Sequence, residues 1–136
     1  MPQEKDPMKD AAYDTREIQR AIADEREVER APLADRKEGQ ANYLATMRER
    51  PEVIAERVAW LLDGNYGYGW MMRARQATSR MNRPAIYCQM IAIVEFQCPS
   101  RMAADAWKKL TKPQQAHLQR AVEQAIEDFD RELALG

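Results

Sequence analysis

Residues 85–97 read AIYCQMIAIVEFQ, an apolar run interrupted only by Gln89, Glu95 and Gln97. A segment this apolar on every side is a central strand or a central helix, and its periodicity alone does not separate the two. Length and partners do. Thirteen residues exceed the usual strand of about 5–6, and no second strand-like segment exists to receive its backbone hydrogen bonds, which a lone strand would leave unsatisfied. The segment is therefore a buried helix, and the chain reads as all-α.

Working outward, Asn82 is placed to cap this helix with Pro84 in its first turn, and Cys98-Pro99 ends it. Ser100 then caps a helix that buries Met102, Ala103, Ala106, Trp107 and Leu110. Thr111-Lys-Pro-Gln114 is a capping box that opens the last helix, with a stripe of Leu118, Val122, Ala125, Ile126, Phe129 and Leu133. In the other direction, Trp70 or Met71, Ala74, Ala77 and Met81 predict a helix ending near Asn82. Ile54, Val58, Leu61 and Leu62 predict another, with Pro51 as its first residue and Asp63-Gly64 as its stop. A capping box at Asp35–Glu38 opens a segment in which Ala41, Leu44 and Met47 share a face. Together these predict an all-α domain over residues 36–136, a small helical bundle of about five helices with residues 85–97 at its centre.

Residues 1–35 read differently. Asp14–Glu17 forms a possible capping box, and Pro32 would stop a helix at Ala31. Its apolar supply is only Ile18, Ala21, Ile22 and Val28, and Glu25 and Glu29 fall where the stripe should continue. Six basic and ten acidic side chains give this segment a net charge of −4. It reads as a charged N-terminal arm, helical or disordered alone, able to extend from the domain and to be ordered by a partner or a second copy rather than by its own core.

Charge is segregated along the chain although the total is only −1. Residues 64–112 set eight basic side chains against Glu95 and Asp105, a net +6, and residues 113–136 return to −3. Such segregation predicts two electrostatic faces. The first twenty residues carry nine charged side chains, so no signal-peptide apolar segment is expected there, and no run approaches a bilayer span. The default compartment is the cytoplasm, where Cys88 and Cys98, without CxxC spacing, read as two reduced, packed thiols.

Residues 63–70, DGNYGYGW, pose the functional question. Glycines before a helix can cradle phosphate, but the spacing here is GxxGxG, no strand leads in, and no Gly-Lys-Ser or Gly-Lys-Thr end follows. No nucleotide or other cofactor is expected. Gly64 is explained as a left-handed helix cap. Tyr66, Tyr68 and Trp70, followed by Arg73, Arg75, Arg80 and Arg83, have the composition of a protein-binding hot spot, and this is the expected partner-binding face. For each ring taken singly a plug over the core is the favoured reading, because aromatics contribute most by burial, and it is the set of three rings in five residues beside arginines that favours an outward face. The same rings and cations would suit single-stranded nucleic acid. That alternative draws also on Arg101, Lys108, Lys109 and Lys112, and on a weak helix-turn-helix reading of the Cys98-Pro99-Ser100 junction.

Catalytic equipment is sparse. His117 is the single histidine and has no evident nucleophile beside it. Cys88, Cys98 and His117 lack the spacing of zinc ligands, and no Glu-x-x-His pair is present for a di-metal site. The expectation is a non-enzymatic interaction protein that binds a protein partner. Nucleic acid is the alternative partner, and self-assembly through the arm or the last helix is compatible with both. Size and the missing catalytic groups fit an accessory or inhibitor protein of a phage or other mobile element.

Overall fold

The computed structural model describes residues 7–77 and 82–135, excepting the side chains of residues 7–14. Among the described residues the chain is all-helical, with α1 (Pro7–Arg30), α2 (Leu33–Glu49), α3 (Pro51–Leu62), α4 (Tyr68–Arg75), α5 (Arg83–Phe96), α6 (Ser100–Lys108) and α7 (Lys112–Leu135). Where a bundle of about five helices and an N-terminal arm is expected, six helices, α2–α7, are described together with α1. The two short ones, α4 and α6, stay separate because Gly67, at φ 104°, and Pro99 begin them with backbone that cannot continue a preceding helix.

Helix α5 is the hub and contacts every other helix. Tyr87, Cys88, Met90, Ile91, Ala92 and Ile93 are all buried on it, as an apolar run without a polar face requires. The expected caps hold at both ends of this region. Asn82 accepts a hydrogen bond from the Ala85 amide at 3.4 Å. Farther on, the Thr111 amide donates to Gln114 Oε1 at 2.9 Å, and the Gln114 amide donates to Thr111 Oγ1 at 3.2 Å, a reciprocal capping box at the start of α7. Pro51 is the first residue of α3, whose stripe Ile54, Val58, Leu61 and Leu62 is wholly buried.

Four local expectations need correction. The box at Asp35 does not start α2, which begins at Leu33 with Pro32 before it. Asp14 lies inside α1 rather than at its start. Ser100 is the first residue of α6 and donates to Glu25 instead of capping. On α2 the buried face is Gly39, Tyr43 and Met47, an i, i+4, i+8 row, while Ala41 is exposed. The helix expected over residues 70–82 is described only as Tyr68–Arg75, and Met81 lies outside the described residues. The α7 stripe runs off the core before its end: Leu118, Val122 and Ile126 are buried, Phe129 is half-buried, and Leu133 is exposed.

The larger correction concerns the arm. Residues 15–30 are not held away from the domain; α1 lies on α4 and α5, and its Ala21 and Val28 belong to the common core. Both cysteines are buried and free, and burial pushes their thiols up to about 12 for Cys88 and about 11 for Cys98.

Candidate protein-binding surfaces

The glycine-aromatic stretch is the seat of α1. Each glycine has a separate conformational task. Gly64, at φ 90°, follows the last turn of α3, and Gly67 adopts the positive φ that admits the chain to α4. Gly69 is buried in α4, and a Cβ there would collide with the backbone carbonyl of Glu17 on α1. Two helix backbones meet at this point because one has no side chain. Trp70, beside it, is 4% exposed, so its face is not available to a nucleobase. Tyr66 and Tyr68 are half-buried. The Tyr66 hydroxyl is buried beside the Glu95 carboxylate, and its burial, followed by its interaction with that carboxylate, raises its pKa.

The arginines are engaged within the chain. Arg73 Nη2 meets Glu25 of α1 at 2.8 Å while its guanidinium lies 4.9 Å from the Trp70 ring centroid. The other oxygen of Glu25 accepts from Ser100 Oγ at 3.4 Å, so one carboxylate ties α1 to both α4 and α6. Arg75 donates through Nε and Nη2 to the Leu62 carbonyl, at 3.1 and 2.9 Å, satisfying an orphan carbonyl at the end of α3. Arg83 donates to both carboxylate oxygens of Asp130 on α7, at 3.1 and 3.3 Å, and to the Tyr87 hydroxyl at 3.1 Å. The Asp130 hydrogen bonds raise the Arg83 pKa. Tyr87 in turn donates to the Ala74 carbonyl at 3.0 Å in the buried interior. Arg80 lies outside the described residues. The expected row of free guanidinium groups beside open rings is thus, for the described members, a set of ties between α4, α5 and their neighbours.

A run of exposed cations lies elsewhere. Arg101, Lys108, Lys109 and Lys112 are exposed and form no ion pair among the described residues. Arg101 and Lys108 stand two turns apart on α6, and Lys109 and Lys112 continue from it into α7. Arg48 of α2 joins this edge by donating to the Lys109 carbonyl at 3.0 Å. Asp105 is the one acidic side chain within the stretch. Beside the edge, between α5 and α6, is a cleft of about 200 Å³ lined mainly by Tyr43, Ala85, Cys88, Ala103, Ala104 and Trp107, with Lys108 at its rim. It is smaller than the roughly 300–1,000 Å³ of small-molecule sites and suits a single inserted side chain. The acidic counterpart is an open groove of about 440 Å³ between α3 and α7, floored by alanines and rimmed by Glu52, Glu56, Asp63, Asp128 and Glu132.

Sequence reasoning missed Glu25 and Gly69 as a matched pair of contacts, and it missed the cleft. The signal for the first was present: a carboxylate interrupting the apolar stripe of α1 needs a cation on whatever helix covers it. His117 is exposed near the start of α7. Among the described residues no three His, Cys, Asp or Glu side chains are grouped to hold a metal, and no helix is long and apolar enough to cross a membrane. No family model matches this chain, and neither do the curated proteins or solved structures compared with it.

Proposed function

We propose that this chain is a non-enzymatic interaction protein whose partner is a protein segment carrying acidic residues around one apolar anchor. The anchor enters the α5–α6 cleft and the carboxylates meet Arg101, Lys108, Lys109 and Lys112. One observation carries this reading: an apolar cleft of single-side-chain size opens beside a run of exposed cations, Arg101, Lys108, Lys109 and Lys112, that form no ion pair among the described residues. An apolar anchor with a charged rim is the usual division of labour in an interface, the anchor supplying affinity and the rim supplying rate and selectivity.

Nucleic acid would use the same four cations. It is disfavoured because Trp70, the largest of the rings expected to stack on bases, is buried, Tyr66 and Tyr68 are half-buried, and Asp105 sits between Arg101 and Lys108 on α6. Affinity purification from the native host with the full chain as bait, with and without nuclease, separates the two. Capture is expected to survive nuclease and to fall at least about tenfold for the Lys108→Glu/Lys109→Glu chain, since like-charge contacts across an interface cost several kcal/mol. Capture abolished by nuclease, or unchanged by the charge reversal, contradicts the protein reading of this edge.

A further inference from the structure

We infer that the α4 face is a helix-receiving site for α1 that also accepts the α1 of a second copy of this chain, giving a dimer by reciprocal exchange. This stands apart from the α5–α6 cleft and does not depend on it. The occupant is defined by what already sits there. Ala21 and Val28 supply the apolar contact, Glu17 presents backbone to Gly69, and Glu25 presents a carboxylate to Arg73. A second copy carries the same set, so each contact made within a chain can be remade between chains.

Three observations make the seat releasable. Among the described side chains of α1, those of residues 15–30, Ala21 and Val28 are the only fully buried apolar ones and Ile18 and Ile22 are half-buried, a thin hold over that stretch. One polar atom at the seam, Arg73 Nη1, is buried without a hydrogen-bond partner, a free-energy penalty that lowers the cost of opening. Between Asp24, Glu27 and Val28 of α1 and Tyr66, Trp70 and Ile93 beneath them runs an open groove of about 270 Å³, so the seam is not closely packed along its length. The hinge is short: only Ala31 and Pro32 separate α1 from α2. A weakly seated terminal helix on a short hinge is the arrangement from which exchange between identical chains arises at low cost.

The Glu25–Arg73 pair provides the test. Glu25→Arg and Arg73→Glu, each made alone, set like charges together both within a chain and between identical copies. Mixed, or refolded together, they restore opposite charges only when α1 crosses from each chain to the other. The expected result by native mass spectrometry is a one-to-one species of doubled mass in the mixture and not in either variant alone, with the Glu25→Arg/Arg73→Glu double variant, like the unmodified protein, again able to form the exchanged dimer. A mixture no more dimeric than its components overturns the proposal. So does a dimer formed by either variant alone, or a double variant that fails to fold, because the ion pair would then not be what selects the seat.

Discussion

Trp70→Ala is expected to lower the unfolding free energy by about 3–5 kcal/mol, the range for truncating a buried aromatic ring. The indole is nearly sealed from solvent, it neighbours the Gly69–Glu17 crossing, and it supports the Arg73 guanidinium that holds Glu25. Removing it takes away burial and the platform of that ion pair together. The adjoining open groove lined by Asp24, Val28 and Tyr66 admits water to part of the vacated volume, which places the effect at the lower end of the range. Urea unfolding followed by circular dichroism measures it, and since small domains are stable by only about 5–15 kcal/mol, even 3 is a large fraction. A change below about 1 kcal/mol, the level of ordinary surface substitutions, would return Trp70 to the surface as an exposed contact ring.

Gly39→Ala should be damaging although it replaces the weakest common helix former with the best. A Cβ at Gly39 would collide with the Phe96 carbonyl and come within 2.9 Å of the Gln97 carbonyl oxygen. Neither can retreat easily. Gln97 is the left-handed cap of α5, at φ 55°, and the Cys98 amide donates to the Ala92 carbonyl at 2.9 Å, closing the turn. Helix α2 must move instead, disturbing the Tyr43–Phe96 ring pair at 5.5 Å and the buried Met47. Overpacking of this kind costs up to about 3 kcal/mol, and improved helix propensity returns about 1, so a net loss of about 2 kcal/mol is expected in the same unfolding experiment. A stabilised Gly39→Ala chain would mean that α2 and α5 do not meet at that glycine.

What the sequence made legible were the features decided within a few residues. The α5 run is too long and too apolar for anything but a central helix, and the Thr111–Gln114 box and Pro51 mark helix starts through local hydrogen bonding and a fixed φ. What it concealed were contacts joining distant residues. Glu25 looks like an outward-facing residue of a helix too polar to dock until Arg73 is known to face it. Gly69 looks like part of a flexible loop until Glu17 is found against it. The aromatic-arginine composition suits a contact surface, but composition does not say whether the contact lies within the chain. Here the observed occupant is the chain's own first helix, and a run of exposed cations lies instead at the junction of α6 and α7.

Amide hydrogen exchange across residues 15–30 of the unmodified protein tests the seating of α1 most directly. The seated helix predicts protection from Glu17 to Val28 well above that of an isolated peptide and below that of α5, and its selective loss in Gly69→Ala, where the Glu17 backbone can no longer approach. Exchange of those amides at the rate of a free chain while α5 stays protected would show that nothing covers Trp70, and the contradiction would be complete.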